Sequence, residues 1–171
     1  IQRLQRLAQG EQPFFLMISH QAPHPVCKAP EPYAEMYRGK ALHWRGNSQP
    51  EAVFDHYGCN MTGQRFLEDY LAEISHLDAA IGRLLDELDR LALAQNTIVA
   101  LTSDHGEMAS SHGRYEKMVM YEEAIRVPQI VRFPGQREGR VSAAPVSSVD
   151  WMPTLLELCG LEPAPSAEGV S

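Results

Sequence analysis

From Phe66 to Leu91 the apolar residues Phe66, Leu67, Tyr70, Leu71, Ile74, Leu77, Ile81, Leu84, Leu85, Leu88 and Leu91 recur every three or four positions. Glu68, Asp69, Glu73, Asp86, Glu87, Asp89 and Arg90 fill the gaps. One apolar face and one charged face predict an amphipathic helix of about seven turns lying on a core. Two runs with a different rhythm flank it. Phe14-Phe15-Leu16-Met17-Ile18 follows Gly10 and Pro13, is short, continuous and rich in β-formers, and predicts a buried strand. After the linker LALAQN, the β-branched run Thr97-Ile98-Val99-Ala100-Leu101-Thr102 predicts another. Strand, long helix, strand is a crossover unit, and such units build parallel sheets.

The remaining segments extend this picture. Arg126 to Phe133 predicts a further strand, with Pro128 marking an edge or a strand start. Asp150 to Cys159 predicts a helix with the acidic residue at its start and Gly160 just past its end. IQRLQRLAQGEQ reads as the end of an amphipathic helix, and Tyr121, Glu122, Glu123 and Arg126 as a helical turn with ion pairing. From Pro23 to about Gly63 the prolines 23, 25, 30, 32 and 50 and several glycines interrupt any period, which predicts a long excursion with at most short helices. The fold class is α/β, with helices packed on a mostly parallel sheet.

Composition narrows the class. A chain of 171 residues is one domain or a large piece of one, and 44% hydrophobic with 22% charged residues excludes a disordered tail, a collagen repeat or a coiled coil. Fifteen Lys plus Arg against 22 Asp plus Glu leave a charge of −7, which favours metal cations over polyanions and argues against a nucleic-acid partner. No apolar run approaches the roughly 18–20 residues of a membrane span. Cys27, Cys59 and Cys159 are odd in number and lack metal-ligand spacing, so each is read as a plain small side chain. Because the first residue is Ile1, any targeting signal is expected upstream, and the compartment is left open between cytoplasm and periplasm or exterior.

Functional groups in open α/β sheets gather beyond the carboxyl ends of strands. Asp104 and His105 stand there after 97–102, followed by Gly106, which lets the backbone turn tightly. A hard oxygen beside a neutral nitrogen suits a divalent cation. The alternative, Asp104 as a turn or helix cap and His105 as a polar loop residue, stands beside it. Lys117, thirteen residues after Asp104, would add charge and donors for an anionic substrate near a metal, although most lysines are solvated surface groups. His24, in Ser19-His20-Gln21-Ala22-Pro23-His24-Pro25, is stiffened by its prolines and suits an oxyanion contact or proton donation; His20 competes for that role, and a buried turn histidine is the plainer reading. No G-x-S-x-G, Walker A, G-x-G-x-x-G or H-E-x-x-H pattern occurs.

Together the strings PFFLMISHQAPHPV, APEPYAEMY, YLAEISHLDAAIGRLLDELDRLALAQNTIVALTSDHGEM, HGRYEKMVMYEEAIRVPQIVRFPG and SSVDWMPTLLELCGL resemble the sulfatase family of the alkaline-phosphatase-like superfamily, in the family's order. Residues 38–62 are the unfamiliar, variable part. The resemblance implies an alkaline-phosphatase-like fold with helices on both faces of its sheet. It also implies hydrolysis of sulfate esters through a formylglycine nucleophile coordinated to a divalent cation, calcium first and manganese as the alternative. Carried over position by position, it makes Asp104 and His105 metal ligands, Lys117 a contact to the sulfate oxygens and His24 the histidine on the substrate oxyanion. Many members have Asn at the second metal position. The Asp-His version also occurs in relatives that cleave choline sulfate, phosphonates or phosphodiesters, so a phosphonate monoester or phosphodiester hydrolase is the alternative activity.

Departures from the pattern bound this expectation. Ser110-Ser111 replace the family's Gly-Asp before His112, which weakens any role for that histidine. No cysteine stands in a C-x-P-S-R context, and the Asp-Asp pair that opens the family's first strand is missing. Residues 1–171 are therefore expected to be a partial catalytic domain, lacking much of its N-terminal half, with the nucleophile upstream and 163–171 beginning the link to a C-terminal subdomain. Alone the segment is expected to be inactive, and a non-catalytic binding module is the remaining alternative. The expected partner is a small-molecule or glycan sulfate ester, with neither nucleic acid nor membrane.

Overall fold

The stripe from Phe66 to Leu91 forms α2 in the computed structural model, which describes residues 1–25, 28–136, 138–162 and 164–171. Cys27 lies outside the described residues, as does Pro163 at the start of the expected link. The chain forms two compact units, 1–135 and 136–171. In the first, α1 (Gln2–Leu7) is followed by a 3-10 turn at Ala34–Met36, the strands β1 (Val53–His56) and β2 (Cys59–Thr62), and α2 (Gly63–Arg90). A second 3-10 turn at Ala94–Asn96 leads to β3 (Val99–Thr102), α3 (Glu122–Ile125) and β4 (Gln129–Arg132).

Helix α2 starts one turn before its apolar stripe because the Thr62 hydroxyl accepts from the Arg65 N–H at 3.4 Å, satisfying a donor of the first turn. Phe66, Ala72 and Leu88 are its buried apolar residues. Buried Glu68 accepts from the Gly39 N–H at 3.1 Å and from Gln64 Nε2 at 2.9 Å. The predicted N-terminal helix is α1, which buries Leu4 and is tied to α2 by Gln5 Nε2 donating to Glu87 Oε1 at 2.8 Å.

Two expectations are corrected. The excursion from Pro23 to Gly63 is not free of strands: β1 and β2 form an antiparallel hairpin with Phe54 opposite Met61 and His56 opposite Cys59. The connection is Tyr57-Gly58, both at positive φ (52° and 73°), the signature of the tight turn that matches strand twist. Phe54 is the residue that buries this hairpin. Its ring lies 4.9 Å from Phe66 and 5.2 Å from Tyr115, so an element of the excursion packs both on α2 and on the segment that carries Lys117.

The run Phe14–Ile18 forms no ladder among the described residues, and Phe15 and Met17 are 81% and 78% exposed rather than buried. A strand needs a neighbour to satisfy its backbone groups, and none pairs with this one here. The ladders among the described residues are the hairpin and the antiparallel pair β3–β4, with Val99 opposite Arg132 and Thr102 opposite Gln129. The physical reason for that direction is the connection. Residues 103–128 hold only the four-residue α3, too short for the crossover helix that returns a chain parallel to itself. The expected parallel sheet is thus not seen among these residues. Strand β4 itself falls where expected, just after Pro128, and α3 realises the predicted helical turn, with Arg126 4.0 Å from Glu122.

In the second unit, a 3-10 turn at Ser148–Asp150 runs into α4 (Trp151–Leu158), and Gly160 follows at φ +70° as predicted. The Asp150 carboxylate accepts from the Ser147 N–H at 2.9 Å and the Val170 N–H at 3.0 Å, so the chain end folds back on the start of α4. These bonds, that from Val170 foremost, hold its carboxyl below the usual range. Cys59 and Cys159 are free thiols, as expected. Among the described residues no helix is long and apolar enough to cross a membrane.

Candidate active site

Strand β3 delivers Ser103, Asp104 and His105 at its carboxyl end, where strand geometry gives way to local hydrogen bonding. The Asp104 Oδ1 accepts from the His105 N–H at 3.0 Å, and Ser103 Oγ donates to the His105 carbonyl at 2.9 Å. The His105 Nδ1 lies 2.8 Å from the Gly106 carbonyl. A carbonyl only accepts, so Nδ1 carries a proton, and in the neutral ring the lone pair is on Nε2. That lone pair is on the nitrogen 3.6 Å from Asp104 Oδ2, whose side chain is 83% exposed. Desolvation raises the Asp104 carboxyl, but the His105 N–H, the His105 ring and the Ser103 hydroxyl outweigh it and keep the group below its ordinary value.

This pair fits a divalent cation. Oxygen and nitrogen donors about 2.0–2.5 Å from one ion stand roughly 3–3.6 Å apart when adjacent in its coordination sphere, and the observed gap falls at that limit. An ionised oxygen and an unprotonated imidazole nitrogen are the required chemical forms. Among the described residues no third His, Cys, Asp or Glu joins them.

The chain reaches Lys117 through a loop closed on itself. Glu107 Oε1 accepts from the Ala109 N–H at 3.1 Å and the Glu116 N–H at 2.5 Å, while the Met108 N–H donates to the Glu116 carbonyl at 2.9 Å. Burial pushes the Glu107 carboxyl up; those two N–H donors and the charge of Lys117 oppose the rise. Met108, Ser110 and Ser111 are buried inside the loop. Tyr115 anchors it from outside, donating to the Ala52 carbonyl at 2.5 Å and packing 4.9 Å from Phe66; burial, with Glu107 and Glu51 nearby, pushes its phenol up to about 12. The thirteen-residue separation in sequence thereby becomes a short separation in space.

Asp104, His105 and Lys117 line one open cavity of about 390 Å³ with Met118, Val119, Met120, Ala124 and Ile125. Lys117 Nζ lies 3.2 Å from His24 Nε2, and His24 Nδ1 lies 2.6 Å from the Pro25 carbonyl. An ammonium only donates, so Nε2 accepts and Nδ1 carries the imidazole proton toward Pro25. All four residues singled out in the sequence are therefore brought to one place. His20 is exposed, and the hydrogen bond goes to His24. His112 is not in the cavity lining: it stacks on Tyr121 at 4.2 Å and pairs with Asn47 at 2.9 Å. The sequence reading missed Glu107, although it directly follows the Asp-His-Gly triplet, and it missed Tyr57, whose ring lies 5.7 Å from that of His24.

Gly106 is needed for a different reason from the one its sequence context suggests. Its N–H donates to the Ala124 carbonyl at 2.8 Å, and a Cβ there would sit 2.0 Å from the Glu123 carbonyl oxygen. Close backbone approach, not a left-handed turn, excludes a side chain. Gly106→Ala is expected to cost about 1–3 kcal/mol, read as a lower denaturant midpoint at unchanged slope. A midpoint equal to wild type would show that α3 yields freely.

Comparison with known proteins matches the sulfatase family description to residues 1–161. The chain is 33% identical over 171 residues to the ulvan-active sulfatase of Formosa agariphila, covering 97% of this chain and 32% of that protein. Among solved structures, a Bacteroides thetaiotaomicron protein described in the metabolism of glycosaminoglycans superposes with a TM-score of 0.84 at 29% identity, covering 99% of this chain and 37% of that one. The phosphonate monoester hydrolase of Silicibacter pomeroyi gives a TM-score of 0.62 at 35% identity, covering 64% of this chain and 22% of that one. The chain thus spans about a third of the length of the ulvan-active relative.

Proposed function

The chain belongs to the sulfatase family, with the alkaline-phosphatase-like fold of its structural matches, and from that premise we propose that the intact protein hydrolyses sulfate esters of sugars. Relatives act on sulfated glycans and sugars, which supports the substrate class. The observation that carries the reading is the convergence of two ligand-type groups and two anion-binding groups. Asp104, His105 and Lys117 line one cavity, and Lys117 is bonded to His24.

The family typically uses a divalent metal. Asp104 and His105 hold it in this proposal, with calcium as first choice and manganese as the alternative. When bound, the cation supplies electrostatic stabilisation of the sulfate and of the attacking oxygen. Lys117 places its charge and donors on the sulfate oxygens. His24 Nε2 accepts from Lys117 Nζ; on taking up a proton it gives up that bond and can donate to the departing alcohol instead. The loop closed by Glu107 brings Lys117 into the same cavity lining as the pair from β3. The nucleophile, a formylglycine, is assigned to a segment outside residues 1–171, and this chain to part of one catalytic domain.

The similarity to a phosphonate monoester hydrolase favours one second reading, a phosphonate or phosphodiester substrate at the same groups. Parallel assays of the intact protein separate them. A sulfated N-acetylhexosamine and an aryl sulfate are expected to turn over faster than an aryl phosphonate monoester or phosphodiester. The reverse order would transfer the site to phosphorus chemistry, and no turnover of any of these esters would remove the hydrolase reading.

A further inference from the structure

The β1–β2 hairpin ends in a residue that its turn does not favour. Two-residue turns with positive φ at both positions prefer Asn, Asp or Gly at the first, yet Tyr57 occupies it at φ 52°. A bulky residue held in the left-handed region is a local cost that persists where surrounding contacts fix it, and such positions cluster at ligand sites. Here the contacts lead to the anion-binding pair from both sides. The Tyr57 ring meets the His24 ring at 5.7 Å and 60° and the His56 ring at 5.3 Å, and His56 Nδ1 in turn lies 3.8 Å from the carboxylate of Glu116, the residue before Lys117.

The ring nevertheless keeps an open face. Its recorded ring neighbours, His24 and His56, both meet it at steep angles, 60° and 68°, and neither stacks on it. The residue is 54% exposed. An aromatic face beside a sulfate-binding pair is a surface for the apolar C–H face of a sugar ring. A rigid two-torsion side chain supplies that contact area at little entropic cost.

We propose that Tyr57 is the platform on which the sugar ring of the substrate rests while its sulfate meets His24 and Lys117. This inference rests on the sulfated-sugar reading and adds the residue that selects the sugar. The variable excursion then carries specificity at its hairpin tip, while Phe54 on the same strand fixes the hairpin to the core.

The test uses the intact enzyme, a sulfated N-acetylhexosamine as substrate and inorganic sulfate as competitive inhibitor. Sulfate reports on the anion contacts alone. Tyr57→Asn removes the ring and installs a residue the turn prefers, so the hairpin is retained. It is expected to raise KM for the sugar about 10-fold, while the sulfate inhibition constant stays within about twofold of wild type. Tyr57→Phe, which keeps the ring and removes only the hydroxyl, is expected to restore KM for the sugar to near its wild-type value, as a platform made by the ring requires. An unchanged KM in Tyr57→Asn overturns the platform. So does a parallel weakening of sulfate inhibition, which would make Tyr57 a prop for His24. Wild-type turnover of an aryl sulfate but not of the sugar overturns the platform and leaves the sulfatase reading standing, whereas no wild-type turnover of any sulfate ester overturns both.

Discussion

Lys117→Ala and His24→Ala each lower turnover of a sulfate ester by about 10²- to 10³-fold in the intact protein, the usual loss when a preorganised donor to developing charge is removed. The structure adds an expectation about the pair. With Nζ and Nε2 at 3.2 Å, the two side chains hold each other in place, and under the proposed function they address one set of oxygens. Removing either also frees the other, so the double variant should lose far less than the product of the single losses. Lys117→Arg retains charge but replaces a point donor with a wider planar fork, and recovers only part of the rate. His20→Ala, at an exposed neighbouring position, is the control and should change turnover little. Steady-state rates with circular dichroism to confirm folding decide the matter. A critical His20 beside a dispensable His24 would show that the wrong histidine has been assigned, and strictly multiplicative losses would separate Lys117 from His24 in function.

How much of this was legible in the sequence depends on whether an element's signal is local. Helix α2 is 28 residues long and carries its apolar period from Phe66 onward, so no tertiary contact is needed to recognise it. Helix α4 announces both ends, with Asp150 at one and Gly160 at the other. The β1–β2 hairpin does not, since each strand has four residues, only Phe54 is deeply buried on β1, and Tyr57-Gly58 lacks the usual turn residue at its first position. Strand pairing is a non-local property, and it defeated the reading of 14–18. Five apolar residues specify an extended, burial-seeking segment but not whether a partner strand stands beside it. The direction of β3 against β4 was equally out of reach, because it depends on a connection of 26 residues whose path is set by Glu107 and Tyr115.

The site divides along the same line. Asp104 and His105 are adjacent in sequence and follow a recognisable strand, and His24 and Lys117 became identifiable through the strings around them. Their meeting is a tertiary fact, produced by buried Met108 and by the Glu107 carboxylate that bonds both limbs of the loop. Glu107 has no spacing signature, since its partners are backbone N–H groups. Tyr57 reaches the site only because Phe54, three residues earlier, is locked between Phe66 and Tyr115.

His105→Ala is expected to lower divalent-metal affinity of the intact protein by about 10-fold or more, the scale of losses seen even for outer partners of metal ligands, and turnover should fall with it. The argument starts from the imidazole. Its Nδ1–H is committed to the Gly106 carbonyl at 2.8 Å, which fixes both ring orientation and tautomer and leaves Nε2 facing Asp104 Oδ2 across 3.6 Å. Alanine deletes that nitrogen while leaving the backbone N–H that Asp104 accepts from, so the carboxylate keeps its position and would lose only its proposed co-ligand. His105→Gln brings an amide oxygen close to the position of Nε2 and is expected to restore part of the affinity, more for calcium, which prefers oxygen, than for manganese. Asp104→Asn, which removes the anionic ligand, should weaken binding further than His105→Ala. Metal content after dialysis and titration calorimetry measure this independently of catalysis. Affinity and rate equal to wild type in His105→Ala would remove His105 from the metal site and return it to the role of a polar loop residue.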